Sequence, residues 1–355
     1  MTDTIHKPLP DQFFIRHETN AETRIETLAA AGYLTPNELF FVRNNSATPN
    51  IAVDTWRLQV EGDGTQRPYS LAYDELLALP SRTVTCFLEC AGNGRTLYDK
   101  LMDRPASGTR WGLGAFGVAE WRGVELAALL ERAGLRPGAV DVLACGLDTP
   151  VIERPIPLAV ALRPDTIIAT HMNGAPLPPD HGFPARLIVP GRIGMANIKW
   201  LGAVRVATEP VWVEKNTTDY ILTGPGYRAM PPARGEPLDD LVVKSALYLP
   251  WPGTLPAGPQ TIAGYAWSPF GAIRRVDISL DGGATFASAR LVGPNIAKAG
   301  ARWEIDVYLR PGELTITPRA TDELGHTQYP VSEQRWNELG YLFGAMAPHP
   351  VTVLA

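Results

Sequence analysis

Hydrophobic and polar positions alternate along Trp56–Gly62 (WRLQVEG), the two-residue period of a half-buried strand. A helical period follows over Tyr69–Leu79 (YSLAYDELLAL), with Ser70 placed to cap it. Arg82–Leu88 (RTVTCFL) favours a strand that runs directly into the glycine-bearing turn Ala91–Gly94. Gly123–Ala133 (GVELAALLERA) carries an amphipathic helical pattern stopped by Gly134 and Pro137. Val140–Ala144 and Thr166–Ala169 read as buried strands, and Leu187–Gly191 as a strand entering a loop. The first forty residues are polar and loop-like, ending in the apolar run Leu39–Val42 before Arg43. Over residues 222–240 (LTGPGYRAMPPARGEPLDD) the periodicity gives way to glycine, proline and charge, the pattern of a linker. Short strand-like runs follow at 241–247, 260–267, 273–280, 303–309 and 314–320, with Asp281-Gly282-Gly283 as a hairpin-turn signal. The expected architecture is α+β: a mixed α+β unit over residues 1–225, then an immunoglobulin-like β-sandwich without a disulfide over residues 226–355.

Composition adjusts this picture modestly. The chain has 355 residues, long enough for two cores, and its 33 glycines and 33 prolines favour loops and strands over a helical bundle. A net charge of −5 argues against a nucleic-acid partner, while leaving room for a locally basic pocket. Three cysteines, Cys86, Cys90 and Cys145, do not make a disulfide framework and fit a reducing compartment. No run approaches the roughly 20 apolar residues of a membrane span, and the N-terminal residues show no signal-peptide pattern or twin arginine. A cytoplasmic protein with no membrane partner is the expectation, or a periplasmic one if a leader has been removed.

The chemistry concentrates in Cys86–Arg95 (CFLECAGNGR). A cysteine where a strand enters a glycine-rich turn is held rigidly, and an arginine five residues on supplies the cationic charge that favours a thiolate. Three readings of Cys90 compete on physical grounds: a buried free thiol, the commonest outcome; a nucleophile, for which no histidine base lies near in sequence; and a soft-metal ligand.

The same segment resembles the molybdenum loop of the sulfite oxidase family. The likeness extends through Phe41-Val42-Arg43-Asn44-Asn45, Trp111–Gly123 (WGLGAFGVAEWRG), His171–Gly202 (HMNGAPLPPDHGFPARLIVPGRIGMANIKWLG), Asp219-Tyr220, Gly264–Trp267, Asp281–Gly283 and Trp336-Asn337. It covers roughly residues 20 to 345, and as a set these motifs are far more specific than any one of them. The resemblance implies a molybdenum cofactor with molybdopterin, and Cys90 as the protein's thiolate on the metal. It implies that Phe41, Arg43, Asn44, Asn45, Asp148, His181, Arg186, Asn197, Ile198 and Lys199 bind the pterin and its phosphate. It also implies that Arg43, Arg95 and Trp111 border the substrate pocket, and that Tyr220 hydrogen-bonds near the metal's oxygen ligand. Paired guanidinium groups suit a sulfur oxyanion, since they bind such ions bidentately. Singly, most of these residues have plainer readings: His181 as a loop brace, Arg186 and Lys199 as solvated edge charges, Tyr220 and Trp111 as core, Asp148 as a turn residue.

The implied activity is oxidation of sulfite or a related small sulfur oxyanion. Electrons would pass to an external acceptor, a cytochrome among the options, since no haem-attachment motif is present. Dimerisation through the second domain is implied as well. Three departures from the family pattern bear on substrate: Asn45 replaces a histidine, Gly94 an arginine, and Leu339 stands where the sulfite enzymes carry an arginine after Trp336-Asn337. A missing cation makes reduction of nitrate or a sulfoxide-like substrate the alternative, and a scaffold that has lost activity the second alternative.

Overall fold

The computed structural model describes residues 4–355. Residues up to about 240 form a unit around two sheets. In one, the strands run Ala175–Pro176, Ile167–Met172, Phe116–Glu125, Arg82–Glu89, with Arg186–Ile188 also paired to Ile167–Met172. In the other the order is Tyr69–Ala72, Arg57–Glu61, Leu201–Ala207, Asp141–Gly146, Glu153–Pro157. Leu201–Ala207 is parallel to Arg57–Glu61 and antiparallel to Asp141–Gly146. The alternation of Arg57–Glu61 does what its period demands: Leu58 and Val60 are buried, Arg57 and Gln59 exposed. The helix Leu126–Ala133 buries Leu126, Leu129, Leu130 and Ala133, one face at the i, i+3, i+4, i+7 spacing, and Gly134 at φ +70° ends it.

From about residue 244 a second, β-rich unit follows. One sheet runs Lys244–Leu247, Gly258–Trp267, Gly300–Leu309, Arg290–Ile296; the other runs Gly253–Pro256, His349–Leu354, Gly312–Asp322, Ile273–Ser279, Ala287–Ser288. Side chains from both sheets, among them Ile262, Trp303, Ile278, Ile316 and Val351, share one apolar core, so the sheets pack face to face. The two units are also continuous with each other. Phe116 stacks on Trp267 with ring centroids 4.1 Å apart, the Tyr33 hydroxyl donates to the Gly300 carbonyl at 2.8 Å, and Ala246, Tyr248 and Tyr265 pack into the first unit's core.

Several expectations need correction. Tyr69–Ala72 is a strand, and a five-residue helix begins only at Tyr73; Ser70 lies exposed in that strand and caps nothing, while the Ala72 N–H donates to Glu75 instead. Pairing with Arg57–Val60 outweighs the local helical period there. Gly123–Glu125 belongs to a ten-residue strand rather than to the helix that follows. Within the first forty residues, Phe14–His17 and Asn20–Thr23 form a hairpin. Trp267 is buried between the units, and Trp251 is half-buried against His349. No helix among the described residues is long and apolar enough to cross a membrane.

Candidate active site

Cys90 follows the strand Arg82–Glu89 and is 7% exposed with a free thiol. Its N–H donates to the Ala115 carbonyl at 3.0 Å, and its own carbonyl accepts the Asn93 N–H at 2.8 Å. These bonds turn the chain at Gly92–Gly94, where Gly94 adopts φ +90°, open to glycine without penalty, and launches the helix Arg95–Met102. The thiol therefore sits at a rigid strand-to-helix corner.

It opens onto a cavity lined by Phe41, Arg43, Asn44, Asn45, Cys90, Asp148, His181, Arg186, Asn197, Ile198, Lys199 and Tyr220, together with Phe40, Asp180, Gly194, Met195 and Trp200. Segments distant in sequence thus meet on one wall: the 40–45 loop, the cysteine corner, the 148–152 loop, the 180–186 turn and the 194–200 loop.

The cavity's cations are short of partners. The Arg43 Nη1 and Arg186 Nε atoms are buried without a hydrogen bond among the described residues. Arg186 spends its other nitrogens on the His181 and Asn197 carbonyls, each at 3.0 Å. Lys199 donates to the Asp180 carbonyl at 2.8 Å and to the Asn44 side chain. Burial pushes the Arg186 guanidinium down to about 9, and burial reinforced by Arg186 holds the Lys199 ammonium well below its usual range. Burial, then the charges of Lys7, Lys199 and Arg186, keep His181 a neutral imidazole. Burial lifts the Asp148 carboxyl to about 6, against the pull of Lys199 and Arg43. Burial also raises the Tyr220 phenol, opposed by Arg43, so its hydroxyl keeps its proton at neutral pH. The unfilled N–H groups of Arg43 and Arg186, beside the depressed Lys199 ammonium, describe a pocket built for an anion, because a bound phosphate would satisfy the orphan donors and draw the Lys199 proton back.

Two implied residues stand apart. Arg95 does not line the cavity. Its Nε donates to the Leu339 carbonyl at 2.8 Å and its Nη1 to the Thr109 carbonyl at 2.6 Å, while its guanidinium lies 5.2 Å from the Tyr341 ring centroid. Gly92 and Gly108 make room for it, since a Cβ on either would come within 2.8 Å of that guanidinium. Trp111 is buried in the same apolar cluster as Cys90, edge-on to His17 at 5.1 Å.

Other residues at the site escaped the sequence reading. Tyr341, five residues after Trp336, stacks on Tyr220 with centroids 5.5 Å apart and a 13° tilt, and donates to the Asp219 carbonyl at 3.0 Å. Asp180 accepts the Lys7 N–H at 2.8 Å and the Thr48 hydroxyl at 2.6 Å, tying the N-terminal segment across the cavity wall. Lys7 carries its ammonium to the Phe40 carbonyl and to within 3.5 Å of His181 Nε2. Asp180 was visible in the Asp180–Pro184 run; Lys7 carried no local signal.

Burial lowers the Lys7 ammonium to about 7, with Asp180 and Glu38 opposing. The unfolded chain holds that proton up to about 10.5, so above pH 7 it binds more protons than the folded chain and stability rises with pH. Urea denaturation of cofactor-free protein at about pH 7.5 and 8.5 should show that rise shrinking in Lys7→Met by up to about 1.4 kcal/mol per unit. An equal slope in both proteins would place Lys7 in solvent.

The donor set limits what can occupy the cavity. Among the described residues, no three His, Cys, Asp or Glu side chains cluster to hold a metal ion. A metal at Cys90 therefore has a single protein ligand and must bring its other donors on a cofactor, and the soft thiolate selects a thiophilic metal. The unfilled cationic donors suit that cofactor's phosphate, and the Asn44, Asn45 and Asn197 side chains suit a polar heterocycle.

Comparison with known proteins agrees with this chemistry. Residues 45–214 match the oxidoreductase molybdopterin binding domain, and residues 236–347 the Mo-co oxidoreductase dimerisation domain. Sulfite oxidase of Gallus gallus is 39% identical over 91% of this chain and 74% of its own length. Mitochondrial sulfite oxidase of Rattus norvegicus is 36% identical over 92% of the chain, which spans only 62% of that relative. The sulfane dehydrogenase SoxCD of Paracoccus pantotrophus superposes with a TM-score of 0.85 at 28% identity, covering 98% of this chain and 93% of that one. The cofactor of this site is molybdenum with molybdopterin, and the chain belongs to the sulfite oxidase family of molybdopterin-dependent oxidoreductases.

Proposed function

We propose that the protein oxidises sulfite, or a related small sulfur oxyanion, to sulfate and passes two electrons to an external acceptor, a cytochrome being a natural candidate. The observation that carries this reading is the convergence of the Cys90 thiol, the unpartnered Arg43 Nη1 and the Tyr220 hydroxyl on one buried cavity. Cys90 is the thiolate that would hold the metal. Arg43, Asn44, Asn45, His181, Arg186, Asn197 and Lys199, with Phe41, Asp148 and Ile198 beside them, would hold the pterin and its phosphate. When bound, the cofactor supplies oxygen-atom transfer and the two-electron redox change. The chain's own part is orientation and charge. Arg43 directs N–H donors at the oxyanion, Tyr220 holds a proton on its hydroxyl for donation at the reacting centre, and the apolar wall around Cys90 keeps water scarce.

Arg95 and Trp111 act at one remove in this reading. Arg95 fixes Tyr341 and the 339–341 segment, and Trp111 packs the cysteine corner. Arg43 is then the principal cation for substrate, which weakens the hold on a dianion and supports nitrate reduction as the second reading, since nitrate carries one charge. A ferricyanide-coupled assay with sulfite, run beside a reduced-viologen assay with nitrate, separates the two. Sulfite-dependent reduction without nitrate turnover is the expected result; the reverse would exchange the readings. Leu339→Arg should lower KM for sulfite about tenfold or more if the pocket is short of one charge-assisted hydrogen bond. An unchanged KM would mean that the 339 side chain does not reach the substrate.

We place the domain boundary within residues 225–244, with homodimerisation through the second unit. Three free thiols suit a reducing, cytoplasmic setting.

A further inference from the structure

We propose that the second unit braces the active site from behind: Lys244 and Trp267 are positioning residues that hold the Cys90 corner through Glu89 and Asn93. This rests on Cys90 being the metal-binding thiolate. Glu89 and Cys90 are neighbours in sequence but serve opposite sides. Cys90 lines the cavity, while Glu89, 0% exposed, turns away from it toward the second unit. There its Oε1 accepts from Lys244 Nζ at 2.6 Å and from Asn93 Nδ2 at 2.9 Å, and its Oε2 accepts from the Trp267 indole N–H at 2.9 Å. Lys244 also donates to the Asn93 carbonyl at 2.8 Å, and Asn93 Oδ1 accepts the Ala115 N–H at 3.0 Å. The residue before the cysteine and the residue three after it are thus clamped by the same ammonium.

A fully buried ion pair is a costly way to hold two units together. Well-packed apolar side chains of similar size commonly stabilise as well or better, because both charges must be stripped of water. A satisfied network of charged hydrogen bonds does something that apolar packing does not. It fixes a single geometry for the backbone it grips, and an active-site ligand needs that support from its surroundings. The network touches no part of the cavity, so a role in substrate or pterin binding does not explain it. It joins Lys244, at the start of the second unit's first strand, to residues 89–93 across 155 positions of sequence. The second unit is then a brace for the metal ligand as well as a domain of the dimerisation class.

The test uses the full chain. Lys244→Met strands the Glu89 carboxylate and can fail to fold, so Glu89→Gln/Lys244→Met, with the pair neutralised, and Trp267→Phe, which keeps the ring stacked on Phe116, accompany it. In cofactor-free protein, the rate of iodoacetamide modification is measured separately for Cys86, Cys90 and Cys145 by peptide mass spectrometry. All three thiols are buried, so Cys86 and Cys145 report general loosening. The expected result is a folded double variant in which Cys90 reacts about tenfold faster while Cys86 and Cys145 keep their rates, with a smaller rise in Trp267→Phe. In molybdenum-loaded protein, X-ray absorption should show an altered metal–sulfur shell. An unchanged Cys90 rate in a folded double variant, or equal acceleration of all three cysteines, would overturn the proposal. Failure of the ligand reading is read elsewhere: Cys90→Ser would then keep its metal–sulfur shell and its turnover, whatever the alkylation rates.

Discussion

Cys90→Ser should fold normally and lose turnover by at least about a hundredfold, since removing residues that merely support a metal ligand already costs 10- to 100-fold. The fold should tolerate the change because the Cys90 side chain makes no protein hydrogen bond that the corner depends on. The turn is built from backbone groups, Cys90 N–H to Ala115 and Asn93 N–H to Cys90. A serine Oγ is smaller and harder than a thiolate, and its hydroxyl does not ionise near neutral pH, so it is a poor ligand for a thiophilic metal. Metal content and circular dichroism on the same sample separate the effects. A folded variant with pterin retained and activity lost fits the ligand role, whereas near-normal turnover removes it.

Arg43→Met should move stability and activity in opposite directions. The Arg43 Nη1 is buried without a partner, so the guanidinium is a desolvated donor that costs the cofactor-free protein free energy. Methionine fills similar volume without that cost, and the melting temperature of the cofactor-free variant should hold or rise. Activity should fall by roughly 10²- to 10³-fold, the loss typical of removing one donor from a site where charge develops. Arg43→Lys keeps the charge but not the planar fork and should recover only part of this. A loss of stability equal to the loss of activity would mean that Arg43 is structural.

Legibility from sequence differed by kind of feature. Strands and helices whose faces are decided locally, such as Arg57–Glu61 and Leu126–Ala133, were plain in the periodicity. Tyr69–Ala72 was not, because its pairing with Arg57–Val60 is a tertiary choice that overrides a helical period. At the site, Cys90, Arg43, His181, Arg186, Lys199 and Tyr220 were found together through their motifs, and the fold brings them to one cavity. Arg95 shared the cysteine's motif, yet its direction is set by carbonyls at Thr109 and Leu339 and by room at Gly92 and Gly108, none of which a local pattern reveals. Lys7, Tyr341 and Lys244 reach the site or its support from distant segments. Lys7 and Lys244 stand in stretches whose sequence announces only a loop or a strand.

The central claim is that Cys90 and the cation-lined cavity hold a molybdenum–pterin cofactor. The most direct measurement is the molybdenum and pterin content of the purified chain, expressed in a host that makes the cofactor. About one molybdenum and one pterin per chain, with one sulfur fewer on the metal in Cys90→Ser, is the expected result. A chain that emerges from such a host folded, with neither metal nor pterin, would contradict the claim.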